Sequence, residues 1–160
     1  MAGIVINYSL GGFQKIEAEL ISAKGSTIYG AVYEGGHSSD LLSDQIEHYR
    51  SIIDDSNQEG TLTIVNYMQS GLEKRGIIKQ FIGIEWTNES ILSEESMDSL
   101  AINSYNGFQF RLRIKPLVMP SPEKLKLLAT EAAELMDSEL LGYSIEQYKD
   151  GYLIINFPLK

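Results

Sequence analysis

Apolar and polar residues follow the same succession of periods twice along the chain, and each succession predicts a strand, a helix and two further strands. In the first half these elements are expected at 14–34, 39–55, 61–69 and 77–86. The first stretch contains a turn at 24–26. The helix shows apolar residues three or four positions apart from Leu42 onward, and Ser39 is placed to cap its first turn.

The second half repeats this order. Residues 108–114 alternate strictly between apolar and polar side chains, which is typical of a strand with one buried face. Ser121 followed by Pro122 predicts the start of a helix over 122–141. The apolar stripe of that helix is Leu125, Leu128, Ala132 and Leu135. Two closing strands form a hairpin through the turn dipeptide Asp150-Gly151.

These elements predict two tandem βαββ repeats, at about 14–86 and 99–160, within a single domain 1–160. A polar and acidic stretch at about 87–98 connects them, and the first dozen residues fit an extra edge strand or a partly disordered arm. Such repeats bury their helices on one face of a mostly antiparallel sheet. The expected fold class is therefore α+β.

The composition argues against several classes of function. A net charge of −9 disfavours binding to a phosphate backbone, because such affinity comes from lysine and arginine displacing counterions. The chain has no cysteine and only two distant histidines, so no metal site and no cofactor are expected. The stretch MAGIVINYSLGG lacks the features of a signal peptide, and no apolar run is long enough to span a membrane. We expect a cytoplasmic protein without membrane or direct nucleic-acid contact.

One carboxylate interrupts the apolar run FIGIEW at residues 81–86. Removing a carboxylate from water is costly, so Glu85 is expected either to reach solvent or to meet a cation. Because side chains alternate along a strand, Ile84 and Trp86 are expected under the helices and Glu85 on the opposite face. Gly83 leaves room above the strand beside it.

The same alternation predicts that aromatic and polar residues share the face of Glu85. The expected ligand-binding set is Glu85, Tyr29, Tyr33, Tyr67, Phe81, Tyr148, Tyr152 and Asn156. The residues expected on the helix side include Ile28, Gly30, Val32, Phe108, Phe110, Leu112, Ile114, Ile145, Leu153, Ile155 and Phe157. Aromatic faces attract cations, and a carboxylate adds Coulomb attraction. The alternative is an ordinary exposed strand face on which Glu85 is solvated or paired with Arg111 or Arg113.

The chain resembles the GyrI-like family, also called the AraC effector-binding or gyrase-inhibitory-protein-like domain. The resemblance extends from about Phe13 to Lys160 and depends on IYGAVYEGG, FIGIEW, the Ser-Pro helix start and the closing EQYKDGYLIINFPLK. It implies a pocket between the two repeats that receives lipophilic cations, with an acidic residue at its base. Glu85 occupies the position of that residue. Family members often carry a DNA-binding helix-turn-helix domain, for which this chain has no room.

Three functions follow from this resemblance and from the residues. The leading prediction is a stand-alone domain that binds small lipophilic cations, with Glu85 as counter-charge. The second is a hydrolase acting on electrophilic small molecules, in which Glu85 is the general base and the sole catalytic candidate. The third is an inhibitory module of the gyrase-inhibitor type, which contacts an unidentified protein partner through an acidic surface.

Overall fold

A computed structural model describes residues 6–10, 14–56, 58–68, 70–87, 97–114 and 119–160. Its helices are α1 (Asp40–Asp55), α2 (Ser70–Glu73) and α3 (Pro122–Glu134). Its strands are β1 (Ile6–Leu10), β2 (Gln14–Ala23), β3 (Ser26–Gly36), β4 (Gly60–Tyr67), β5 (Ile77–Trp86), β6 (Asp98–Ile102), β7 (Tyr105–Arg113), β8 (Tyr143–Lys149) and β9 (Tyr152–Pro158). The strand pairs described below are antiparallel, and the predicted α+β class is confirmed. Among the described residues, no helix has the length and apolar content needed to cross a bilayer.

The chain divides into two compact units. The continuous unit, Gly25–Asn103, contains α1, α2 and strands in the order β4-β5-β3-β6. The discontinuous unit combines the chain up to Lys24 with Ser104–Lys160 and contains α3 and strands in the order β1-β2-β7-β9-β8. Within the discontinuous unit β1 is an edge strand, one of the two forms expected for the first dozen residues.

The division into units crosses the predicted repeat boundaries at two strands. β2 and β3 are consecutive, yet β2 pairs with β7 and β3 pairs with β5 and β6. The predicted connection at 87–98 lies mostly outside the described residues, and its last residue, Asp98, begins β6. Thus β2, predicted in the first repeat, belongs to the discontinuous unit, and β6, almost all of it predicted in the second repeat, belongs to the continuous unit. The single-domain assignment stays a prediction.

Both long helices begin where the capping signals predict. The Ser39 hydroxyl accepts a hydrogen bond from the Leu41 amide at 3.2 Å, and the Ser121 hydroxyl accepts one from the Lys124 amide at 3.4 Å. Helix α3 ends at Glu134, several residues before the predicted position 141. Leu135, predicted to lie in the apolar stripe, caps this end and is 74% exposed, so that assignment is wrong.

Helix α3 covers one face of the discontinuous unit's sheet. It contacts β2 and β7. The buried residues Phe108, Phe110 and Leu112 share one face of β7. The buried residues of α3 are Leu125, Leu128, Ala129, Ala132 and Ala133. Phe108 pairs with Phe157 and Phe110 pairs with Ile155, so these two β9 residues lie on the predicted helix side. Ile114, also predicted there, follows the end of β7 and is exposed.

The hairpin of β8 and β9 turns through the predicted two residues. Asp150 and Gly151 have φ of 53° and 76°, which a type I′ turn requires at both central positions. This turn pairs Lys149 with Tyr152 and thereby fixes which β8 and β9 side chains share a face.

In the continuous unit, β5 lies between β3 and β4. Ile82 and Ile84 on one face of β5 are fully buried, and Phe81 on the other face is 4% exposed. Helix α1 contacts this sheet, and Gln45 of α1 donates to the Ala31 carbonyl at 3.2 Å. Because the next residue, Val32, points to the other face and is exposed, α1 lies on the face of Ala31 and its partner Ile82. Near the end of β3 the opposite face is uncovered, with Val32 52% exposed. Val32 was predicted to be on the helix side, and that prediction is wrong.

Gly30 and Gly83 face each other where β3 and β5 approach most closely. A Cβ atom added to Gly30 would lie 2.0 Å from the Ile82 carbonyl oxygen, and one added to Gly83 would lie 2.2 Å from the Tyr29 carbonyl oxygen. Both contacts involve backbone, which cannot rotate away. Glycine is therefore required at both positions.

We predict that Gly30→Ala destabilises the chain by about 1–3 kcal/mol, the range for forced overpacking, because its methyl group pushes the β3 and β5 backbones apart. Urea unfolding measures this change. Gly36→Ala is the matched control, since no atom lies within 4 Å of the Cβ position there, and its stability should stay near that of the wild type. Equal stability of both variants would show that the two strands do not pair as described.

Candidate functional site

Glu85 lies near the end of β5 and is half-buried. It pairs directly with Ile28 of β3 and Thr61 of β4, and Ile28 in turn pairs with Leu100 of β6. Directly paired residues of antiparallel strands point to the same face. Leu100, Ile28, Glu85 and Thr61 thus form one cross-strand row, which we call the Glu85 row. In this row the Glu85 carboxylate lies between the apolar side chain of Ile28 and the hydroxyl of Thr61.

The neighbouring row on the same face consists of Asp98, Gly30, Gly83 and Thr63, and its two central positions have no side chain. Gly30 and Gly83 pair with each other, and Gly83 also pairs with the buried Thr63. Two adjacent strands therefore carry only hydrogen at the positions beside the Glu85 row. The next residue of β3 on the same face as Ile28 is Gly30, and the next residue of β5 on the same face as Glu85 is Gly83. Ile28 and Glu85 therefore have no side chain beside them in that direction.

Glu85 and Trp86 point to opposite faces, as the alternation predicts. Trp86 pairs with Gly60, and a Cβ at Gly60 would lie 2.7 Å from the indole Cζ3, so the ring covers that glycine. Ile84 touches the same position, which puts Trp86 on the α1 side. The predicted burial of Trp86 is only partial. The indole itself is half-buried, while its Nε1 is fully buried and has no hydrogen-bond partner within the described part of the chain.

Tyr29 and Tyr33 do not share the face of Glu85, so their predicted placement is wrong. Ile28, not Tyr29, is the direct partner of Glu85, while Tyr29 pairs with Ile84 on the α1 side. Tyr33 pairs with Gln80, which also lies on the α1 side. The Tyr33 side chain is 8% exposed and its hydroxyl donates to the Gly36 carbonyl at 2.8 Å. The physical reason is that each face of β3 carries a buried residue, Ile28 on one and Tyr33 on the other, so its hydrophobic pattern does not specify a register.

Tyr67 and Phe81 share the face of Glu85 but lie away from it along the strands. Tyr67 is six residues beyond Thr61 in β4, a separation of about 20 Å at the rise of a strand. It is half-buried, and burial raises the pKa of its phenol above the usual 10.0. Phe81 is buried against its partner Val65 in the core. One small ligand at Glu85 therefore does not reach Tyr67 directly.

The remaining predicted residues belong to the discontinuous unit. Tyr148 pairs with Leu153, so it lies on the α3 side and not with Tyr152 and Asn156. That placement was predicted wrongly because the two-residue turn at 150–151 offsets β8 by one residue from the assumed alternation. The same offset puts Ile145, predicted on the helix side, directly opposite Asn156.

Tyr152 and Asn156 are on the predicted face, but both already have partners within the chain. The Arg111 guanidinium lies 4.3 Å from the centroid of the Tyr152 ring, which is a cation–π contact. Asn156 is buried, and its Oδ1 accepts a hydrogen bond from Gln109 Nε2 at 3.0 Å.

The candidate site around Glu85 stays a prediction, and the strand pairing gives Glu85 other neighbours than the predicted ones. The residues beside it that the sequence reasoning missed are Ile28, Thr61 and Leu100. None has a chemical signature in the sequence, and only the strand pairing identifies them. Across the described ranges, no group of histidine, aspartate and glutamate is arranged to hold a metal ion.

Solved structures share this fold at low sequence identity. The C-terminal domain of EcmrR matches with a TM-score of 0.64 and 11% identity over 91% of this chain and 98% of that domain. A longer EcmrR chain in a DNA complex is matched over 57% of its length. SAV2435 bound to tetraphenylphosphonium matches with a TM-score of 0.55 and 14% identity over 90% of this chain and 94% of that one. An integron cassette protein from the mobile metagenome of Vibrio cholerae matches with a TM-score of 0.55 and 10% identity, covering 89% and 95%.

These likenesses establish the fold. No family model and no curated protein matches the chain by sequence. Membership of the GyrI-like family therefore stays a prediction.

We predict that Tyr33→Phe lowers the free energy of unfolding by about 1 kcal/mol, because it removes the hydrogen bond from the buried Tyr33 side chain to the Gly36 carbonyl. Urea unfolding measures the loss. Ligand affinity, measured by calorimetry with a lipophilic cation, should not change, since Tyr33 is buried on the α1 side. A Tyr33→Phe protein of full stability but weakened affinity would return Tyr33 to the binding set.

Proposed function

We propose that this chain is a small-molecule-binding domain whose continuous unit binds a lipophilic cation at the Glu85 row, with Glu85 as the counter-charge. The observation that carries the proposal is the half-buried position of this carboxylate between Ile28 and Thr61. A carboxylate in such surroundings favours a ligand that is both positively charged and apolar.

Partial burial makes the carboxylate effective. Two unit charges 4 Å apart attract by about 1 kcal/mol in bulk water and by about 4 kcal/mol at the effective dielectric constant near a protein surface. A lipophilic cation binds more strongly still, because its charge is weakly hydrated and because binding removes the apolar surface of its rings from water. The half-buried Leu100, two strand spacings or about 10 Å from Glu85 in the same row, supplies apolar contact for the rings of such a ligand.

The glycine pair determines the backbone geometry beside Glu85. Gly30 and Gly83 leave no side chain over two adjacent strands next to Glu85. Both glycines are buried, and backbone of the facing strand fills the positions that their Cβ atoms would occupy. The fold likeness to SAV2435, solved with tetraphenylphosphonium, is consistent with a ligand of this shape and charge.

The hydrolase and the inhibitory module stay predictions beside this proposal. A hydrolase would use the same carboxylate as general base, so turnover of an electrophilic ligand that stops in Glu85→Gln would favour it over simple binding.

We predict that Glu85→Gln weakens the binding of tetraphenylphosphonium by about 1–3 kcal/mol, the range for a lost charge-assisted contact, while the binding of neutral triphenylphosphine oxide changes little. Isothermal titration calorimetry measures both affinities. The variant keeps the size of the side chain and removes only its charge.

The matched control is Glu59→Gln, which makes the same change in net charge at an exposed position just before β4. It should bind the cation as the wild type does, because a screened surface charge contributes little. If wild type, Glu59→Gln and Glu85→Gln all bind tetraphenylphosphonium equally, Glu85 is not the counter-charge and the proposal is wrong.

A further inference from the structure

Three side chains form a second row on the discontinuous unit's sheet. Arg113 of β7 pairs with Tyr152 of β9, and Tyr152 pairs with Lys149 of β8. Their side chains therefore share one face, which we call the basic row. It is the face away from α3, because Leu112, beside Arg113 on β7, is buried on the α3 side. Arg113 and Lys149 are exposed.

The basic row presents hydrogen-bond donors and positive charge. A guanidinium and an ammonium stand on either side of a phenol, and Arg111 adds a second guanidinium over the Tyr152 ring at 4.3 Å. In the described part of the chain, neither Arg113 nor Lys149 has an ion-pair partner. Glu17 and Glu19 are on the same face but on β2, where Glu17 is the neighbour of Arg111 across the strands, and Asp150 follows Lys149 in the turn. The side of β9 and β8 remains positive.

The spacing of these cations matches carboxylates on an extended peptide. Arg111 and Arg113 are two residues apart on one strand, about 7 Å, and alternate side chains of any extended chain have that separation. Lys149 lies two strand spacings from Arg113, about 10 Å. Guanidinium groups also bind carboxylates through two parallel hydrogen bonds.

We propose that the basic row docks an extended acidic peptide segment of another protein, with Arg111, Arg113 and Lys149 contacting its carboxylates. The charge of the row, opposite to the net charge of −9 of the whole chain, selects an acidic occupant locally. A nucleic acid fits less well, because the chain as a whole repels a polyanion and because Arg111 already occupies a face of the Tyr152 ring that a base would stack on. This interaction is independent of the function proposed for Glu85.

The test is fluorescence polarisation with a labelled peptide in which glutamate alternates with threonine. The double variant Arg113→Gln with Lys149→Gln should bind this peptide about tenfold more weakly than wild type at low salt, through the loss of two charge-assisted contacts. The matched control is Lys74→Gln with Arg75→Gln, which removes two exposed charges from the turn before β5 and should bind within about twofold of wild type. Wild-type binding should weaken as salt is added.

Further probes separate this proposal from other sources of negative charge. The same peptide with glutamine in place of glutamate should not bind, and inorganic phosphate at the peptide's own concentration should not displace it. Equal loss of binding in both double variants, absence of salt dependence, displacement by that phosphate, or tighter binding of single-stranded oligothymidylate would each overturn the proposal. The affinity for tetraphenylphosphonium should stay unchanged in the Arg113 and Lys149 double variant. Failure of the peptide-docking proposal can therefore be distinguished from failure of the cation-binding proposal for Glu85.

Discussion

The register between β3 and β5 is the constraint on which the candidate site depends. The two strands pair residue for residue from Ile28 with Glu85 to Gly36 with Ile77, and the contact of Gly30 with Gly83 holds their backbones close together. A shift by one residue would oppose a side chain to one of these glycines and would turn every β3 side chain to the other face. The backbone contact thus decides that Ile28, and neither neighbouring tyrosine, lies beside Glu85.

This register also separates structural from functional aromatic residues. Tyr33 is buried with its hydroxyl bonded to backbone, and Tyr49 of α1 is buried with a pKa raised first by that burial, lowered in part by a hydrogen bond from Gln45 and raised by nearby Asp98. Tyr152 is held by Arg111 in the other unit. Of the five tyrosines in the predicted ligand-binding set, Tyr33 and Tyr152 have partners within the fold, and Tyr29 and Tyr148 lie on the helix sides of their sheets. The case for cation binding therefore depends on one carboxylate and its surroundings.

The sequence predicted those features that short-range chemistry determines. The caps at Ser39 and Ser121, the Asp150-Gly151 turn and the opposite orientation of Glu85 and Trp86 all follow from neighbouring residues. Features that depend on distant pairing were not accessible. Nothing local indicates that β2 leaves β3 for β7, or that Ile28 and Tyr33 are buried on opposite faces of β3. Tyr148 is an intermediate case, since a two-residue turn already implies its pairing with Leu153 and places it on the α3 side.

A crystal structure of the chain with bound tetraphenylphosphonium tests the central claim most directly, because it locates the charge of the ligand against every carboxylate of the protein. The account predicts that Glu85 is the carboxylate nearest the phosphorus atom, with one phenyl ring against Leu100. A cation bound on the α1 side of the sheet, or beside another carboxylate with Glu85 in contact only with water, would contradict it.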